Sequence, residues 1–322
     1  MITVNDASTP VFDVITMGRC GVDFYPTQHG SLVDVQHFDK FLGGSPANVA
    51  VAAARLGSSS ALISRTGPDP FGAYVHSALR GFNVDDRFVS DVVGFQTPVT
   101  FCETFPPDHF PIYFYRQPKA PDLEIYLEEL DLDAIAAARL FWATVSGLSV
   151  EPSRAATMAA LAARHRCHPT VLDLDYRPTF WSSLDEARRC VREAVAHVSI
   201  AIGNLDEVEV CVATRDPDEA ADRLLSLGCT MAVVKMGPAG VLAKTNDERV
   251  VGLPVEVKVV NGLGAGDGFG GAFCHGILSG WPLPTIIDVA NAAGAIVASR
   301  LACSEAMPTM NEIEELLERE HS

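Results

Sequence analysis

An α/β fold with a mostly parallel central sheet is predicted by three features of this sequence. Short apolar runs bounded by Gly or Asp alternate with helix-period segments along most of the chain. The apolar runs are short and near-continuous, as in strands covered on both faces by crossover helices. The chain has 322 residues, 48% hydrophobic and 20% charged, which suits one large globular domain with at most a small appendage.

The elements follow in order. FDVITMG (12–18) reads as a strand, and SPANVAVAAARLG (45–57) as an Ala-rich helix closed by Gly57. SALISRTG (60–67) is a second strand and FGAYVHSALRGF (71–82) a second helix. After Asp131 the alternation is regular: helix 131–138 leads to strand 140–147, helix 153–165 to strand 170–176, and helix 185–196 to strand 198–204. Helix 217–227 precedes strand 230–237, and the stretch from Gly266 to Glu320 reads as three helices. Residues 24–39 and 97–116 break the pattern, with a two-residue period and Pro turns. They read as short antiparallel strands projecting from the main sheet, either a lid inserted into a single domain spanning 1–322 or ordinary surface hairpins.

Lys and Arg number 24 against 41 Asp and Glu, a net charge of −17. Such a surface repels nucleic acid and anionic membranes, so neither is an expected partner. An anionic substrate would need a local cluster of Arg or Lys. The eight cysteines contain no C-x-x-C pair, which favours reduced thiols over a disulfide framework or a zinc site. The N-terminus lacks a basic region followed by an apolar run, and no stretch nears the roughly 20 apolar residues of a membrane span. A cytoplasmic protein is expected.

VVNGLGAGDGFGGAF (259–273) bears most directly on function. Gly266, Gly268 and Gly271 spell G-x-G-x-x-G, the spacing of a dinucleotide-binding turn. That turn belongs after a strand, with an acidic residue about 20 positions on at the next strand's end. Here the following sequence is helical throughout and Asp288 falls inside a helix pattern, so context excludes a dehydrogenase. Gly264-Ala265-Gly266-Asp267 instead fits a turn whose N–H groups cradle an anion at a helix start. An Asp placed there can accept a proton from a hydroxyl attacking a phosphoryl group. Alternatively, Asp267 simply caps a helix over 268–279.

GGSPANVAVAAARLG (43–57) and 259–273 resemble the two signature segments of the ribokinase-like (PfkB) carbohydrate kinases. Asp23, RTGPDPFG (65–72), DLDYRP (173–178), NLDE (204–207), KMGPAG (235–240) and NAAGA (291–295) follow in the family's order. The resemblance implies a ribokinase-like three-layer α/β/α sandwich with a small β-strand lid, using ATP and Mg²⁺. It implies that Asp267 is the general base, with Gly264, Ala265 and Gly266 supplying N–H donors to the transferring phosphoryl. By the same resemblance Asn204 and Glu207 help hold Mg²⁺; NLDE also reads as a helix N-terminal box with Asn204 as its cap, and the two readings are compatible. Asp23, Gly43, Gly44 and Asn48 contact sugar hydroxyls, Lys235, Gly237 and Gly240 contact the nucleotide, and Asn291 borders the adenine. Two residues depart from the pattern. Asn261 stands where many members carry an Asp that helps bind a monovalent cation, so that ion loses a ligand here, and Gly268 replaces a usual Ala.

Within the family, MGRCGVDFYP (17–26), residues 97–123, DYRPTFW (175–181) and VVNGLGAGD (259–267) resemble the subgroup that phosphorylates 5-dehydro-2-deoxy-D-gluconate in inositol breakdown. That subgroup also carries Asn before the GAGD turn. A sugar-acid carboxylate calls for a fork-like donor, and Arg supplies one best. Arg19 and Arg177 follow predicted strands and Arg116 ends the second lid segment, with Arg116 the first choice for the carboxylate and Arg177 for the phosphates. Tyr113 and Tyr115 add polar edges or packing. The alternatives are a 2-keto-3-deoxygluconate kinase, a fructokinase-like enzyme, or a non-catalytic sugar-binding relative. Apolar lid strands would be exposed in a monomer, so a homodimer through the lid is expected.

Overall fold

The computed structural model describes residues 12–320. Residues 1–11, which begin the stretch read as lacking a signal pattern, lie outside the described residues. The strands are β1 Val14–Met17, β2 Gly21–Pro26, β3 Phe38–Gly43, β4 Ser60–Thr66, β5 Val84–Asp85, β6 Val89–Asp91 and β7 Val99–Cys102. They continue as β8 Ile112–Tyr115, β9 Leu140–Thr144, β10 Thr170–Asp173, β11 Ile200–Asn204, β12 Met231–Lys235, β13 Val241–Thr245 and β14 Arg249–Gly252. The α-helices are α1 Ser45–Arg55, α2 Pro70–Gly81, α3 Leu132–Ala137, α4 Ser153–Ala163 and α5 Leu184–Val195. They continue as α6 Leu205–Val212, α7 Pro217–Ser226, α8 Ala265–Leu278, α9 Leu283–Ala298 and α10 Met310–Glu320.

The main sheet has ten strands in the order β14-β13-β12-β11-β10-β9-β1-β4-β5, with β6 also on β4. Pairing is parallel from β12 across to β5, while β13 and β14 add antiparallel at one edge. The strand period of two sends successive side chains to opposite faces. Ile15, Phe141 and Leu172 enter one core with α4, α5, α6 and α7, whereas Val14, Trp142 and Val171 enter another with α1, α8 and α9. Helices therefore cover both faces, giving a three-layer α/β/α sandwich.

A second, four-stranded sheet runs β3-β2-β7-β8. Its first two strands begin at Gly21 and end at Gly43, so most of residues 27–37 connects them rather than pairing. Three further differences matter for the site. Strand 170–176 ends at Asp173, freeing the chain to turn at Asp175. The β13–β14 hairpin was not expected, and the helix start read as one possibility at Asn204 runs on as α6 to Val212. The glycine-rich helix starts at Ala265 instead of 268, with Gly264 as its N-cap at φ 79°, a conformation glycine adopts without a Cβ penalty. Asp267 is thus the third residue of α8 and does not cap it.

Candidate active site

The carboxyl ends of β1, β10, β11 and β12 present Arg19, Asp173, Asn204 and Lys235 to one crevice, the usual ligand position in open α/β sheets. The N-termini of α1 and α8 aim into the same space, and neither N-cap, Gly44 or Gly264, carries a side-chain cap. Their free N–H groups and helix dipoles favour negative charge. The small sheet closes the other side through Asp23 on β2 and Arg116 just beyond β8. Together these elements enclose a cavity of about 280 Å³.

Asp267 sits on the cavity wall, where Asn48 Nδ2 donates to Asp267 Oδ2 at 2.8 Å. Because a carboxylate only accepts, Asn48 must turn its NH₂ toward Asp267. Its carbonyl oxygen then receives the Ser304 hydroxyl at 2.6 Å. Burial raises the Asp267 carboxyl above its ordinary value despite this donor. Asp23 is likewise pushed up, to about 6, by burial.

Four carboxylates surround one lysine. Burial alone would lower Lys235, yet the charges of Asp173, Glu207, Asp267 and Asp175 outweigh it and raise the ammonium. Its Nζ lies 3.2 Å from where a Cβ on Gly266 would stand, beside the glycine turn. Asp173 is buried and its carboxyl is pushed up to about 8 by burial, while its Oδ1 finds no partner among the described residues. Asn204 caps α6, accepting from the N–H groups of Asp206 and Glu207 at 2.9 and 3.0 Å, and Glu207 Oε2 reciprocates on the Asn204 N–H at 2.8 Å. The capping box and a place at the cavity are both realised in the same residues.

The three arginines converge as well, each with a carboxylate. Asp175 takes Arg19 at 2.5 Å and Arg177 at 2.6 Å. Burial raises Asp175, and the charges of Arg177 and Arg19 more than reverse this, holding it well below the usual carboxylate range. Glu207 and Asp267 also act on Arg177, whose Nε has no hydrogen-bond partner among the described residues. Arg116 instead forks onto buried Asp122 at 2.6 and 3.3 Å. Its guanidinium lies 4.6 Å from the Phe180 ring centre, and Arg19 packs at 5.4 Å from the same ring.

The cavity therefore gathers Asp267, Gly264 and Gly266, the sugar-side candidates Asp23, Gly44 and Asn48, the three arginines, and Asn204, Glu207 and Lys235. Gly43 and Ala265 flank it. Gly237, Gly240 and Asn291 do not line it. Gly240 and Asn291 both pack about Gly252 at the end of β14, where Asn291 Nδ2 donates to Leu253 O at 2.9 Å. Asp173 and Asp175 went unassigned in the sequence. The D-x-D spacing at a strand end was the signal available.

Over residues 11–310 the chain matches the description "pfkB family carbohydrate kinase". It belongs to that family of carbohydrate kinases. Among curated PfkB relatives, it is similar to the 5-dehydro-2-deoxygluconokinase of Clostridium perfringens, 32% identical over 96% of this chain and 94% of the relative. That of Bacillus subtilis is 32% identical over 95% and 96%. Among solved structures, the fold matches an ATP-bound fructokinase from Xylella fastidiosa with TM-score 0.84 at 21% identity, covering 97% of this chain and all (100%) of that one. A fructokinase from Vibrio cholerae O395, bound to fructose, ADP and calcium, matches with TM-score 0.83 at 24% identity, covering 95% and 99%.

Proposed function

We propose that this PfkB kinase transfers the γ-phosphoryl group of ATP to the primary hydroxyl of 5-dehydro-2-deoxy-D-gluconate, giving the 6-phosphate in myo-inositol breakdown. The observation that carries this reading is the placement of Asp267 in one cavity with an uncapped glycine turn and the arginine pair on Asp175. The curated relatives named for that substrate support it.

In this account the sugar's hydroxyls meet Asp23, Asn48 and the Gly43-Gly44 backbone, which orients the primary hydroxyl toward Asp267. Asp267 accepts the hydroxyl proton as the oxygen attacks. The N–H groups of Gly264, Ala265 and Gly266 and the dipole of α8 stabilise charge on the transferring phosphoryl, which needs positioning more than covalent help. Lys235, together with Arg19 and Arg177 on Asp175, offsets the carboxylate cluster so that a polyphosphate can enter. The fork of Arg116 is committed to Asp122, so the sugar carboxylate falls to Arg177, with Arg19 behind it. The surface about Gly237, Gly240 and Asn291 serves the nucleotide base.

Magnesium fits this donor set. Asp173 and Glu207 offer hard oxygens, one of them the unpartnered Asp173 Oδ1, while Asp175 is held by Arg19 and Arg177. Among the described residues no three such groups converge on one point, which suits an ion held through water and phosphate oxygens rather than an all-protein cage. When bound, Mg²⁺ supplies charge neutralisation on the phosphates. The buried Asn261 side chain is occupied by the Leu301 carbonyl at 2.7 Å and the Leu263 N–H at 3.1 Å, so potassium is not part of this proposal.

The small sheet acts as a lid on one kinase domain spanning 1–322, and two copies pair through it. Its edge strand β8 leaves Tyr113 and Tyr115 exposed at 43% and 63%, surface that a second copy would cover. A monomer in sedimentation at micromolar concentration would refute the pairing. The cytoplasm, which supplies ATP and keeps the free thiols reduced, is the matching compartment. A coupled ATP-consumption assay over 5-dehydro-2-deoxygluconate, 2-keto-3-deoxygluconate, fructose and ribose tests the substrate. Turnover of the first alone is expected, and preference for another sugar would overturn the assignment.

A further inference from the structure

We propose that Tyr25 is a positioning residue for sugar recognition, fixing the Asp23 carboxylate against the cavity with the Cys303 thiol behind it. The proposal rests on the kinase reading above and deepens it at Asp23.

Asp23 and Tyr25 stand two residues apart on β2, so they share one face of the strand. The Tyr25 hydroxyl lies 3.1 Å from Asp23 Oδ2 and 2.9 Å from Cys303 Sγ, and the tyrosine is only 3% exposed. A charged carboxylate accepts only, so Tyr25 gives its single proton to Asp23. Its oxygen is then left to accept from the Cys303 S–H. The donors run in one direction, from Cys303 through Tyr25 to Asp23.

A second observation fixes the same rotamer. A Cβ at Gly43 would stand 2.1 Å from Asp23 Oδ1, so the carboxyl lies flat against a position only glycine leaves open. Thr100 pairs with Asp23 across β2 and β7 and helps lower its carboxyl. A carboxylate has about four lone-pair positions. Tyr25 uses part of that capacity, and the rest opens to the cavity that Asp23 lines. Cys303 also packs against the glycine turn, its Sγ 2.6 Å from where a Cβ on Gly264 would be. Cys303 thus abuts both Tyr25 and the N-cap of α8. Burial holds the Cys303 thiol far above its ordinary value, which suits a neutral donor and not a nucleophile.

The charged and titratable groups facing Asp23 are Arg19, Asp267, Tyr74, Cys102, Cys303 and Glu305. Removing Tyr25's hydroxyl leaves all of them in place and deletes one donor to the charged form, which raises the Asp23 carboxyl further.

The test compares Tyr25→Phe and Cys303→Ala with wild type, using 5-dehydro-2-deoxygluconate and ATP. For Tyr25→Phe the sugar KM should rise about tenfold, with kcat within about threefold, the ATP KM unchanged and the acid limb of kcat/KM moved to higher pH. Cys303→Ala should move both in the same direction by less. Unchanged sugar KM and acid limb in both variants would overturn the proposal. So would a uniform loss of kcat and ATP affinity with a fall in Tm, which marks general collapse. If the wild type turns over no sugar, the kinase reading fails separately. Calorimetric binding of the sugar acid then decides, and equal affinity of wild type and Tyr25→Phe overturns the role.

Discussion

Asn48 on α1 donates to Asp267 on α8 across 2.8 Å, joining residues 219 apart in the chain. This one hydrogen bond links the helix that borders the sugar to the helix that carries the proposed base. Removing it in Asn48→Ala takes a donor from a buried carboxylate, a contact worth about 1.5–3 kcal/mol. The kcat should fall about tenfold to a hundredfold, with the acid limb moving to higher pH, as measured by steady-state kinetics from pH 5 to 9.

Asp173 links stability to pH. Between the ordinary value of 3.8 and its own of about 8, Asp173 keeps a proton in the folded chain that the unfolded chain releases. Stability from this group is full below about 4 and is lost as pH climbs toward 8. Asp173→Asn removes the slope. Its Tm advantage over wild type should therefore grow from pH 5 to pH 8 in thermal melts, and a constant offset would contradict the shift.

The sandwich was legible because its strands are short apolar runs and its helices carry a clear 3.6-residue period, with Gly57 and Gly264 at helix ends. Helix α6 was legible only at its start: the Asn204–Glu207 capping box signals a helix, while VEVCV alternates like a strand and hid its extent. The β13–β14 hairpin was missed because its strands are short and follow a Gly-Pro turn, where the expected strand 230–237 had been closed. At the site, the family resemblance pointed to Asp267, Asn48 and Glu207, and the structure brings all three to one cavity. Ion-pair partners were not readable, because which carboxylate takes which guanidinium depends on strand ends meeting in space. Thus Arg116 looked free and is bound by Asp122, while Asp175, unassigned in the sequence, holds two arginines.

Lys235 is a cation among Asp173, Asp175, Glu207 and Asp267. Lys235→Met should leave Glu207 and Asp267 less compensated and cost roughly 1–3 kcal/mol, less than a fully buried pair because the lysine borders the cavity. Denaturant unfolding measures this, and the ATP KM should rise in the same variant.

Arg177 carries a buried, unpartnered donor and Arg116 a satisfied pair. Arg177→Gln should therefore raise the KM for the sugar acid about tenfold or more without a comparable loss of affinity for a neutral sugar such as fructose. Arg116→Gln should chiefly lower Tm, since it leaves buried Asp122 unpaired. The opposite ranking of sugar KM would return the carboxylate to Arg116.

The central claim is that Asp267 takes the proton from the sugar hydroxyl. Single-turnover phosphoryl transfer by wild type and Asp267→Asn, with ATP and sugar affinities measured alongside, tests it most directly. Asn fills the same space but cannot accept that proton, so the rate should fall by about 10²–10⁴ with both affinities retained within a few-fold. A variant that transfers phosphate at the wild-type rate would contradict the account.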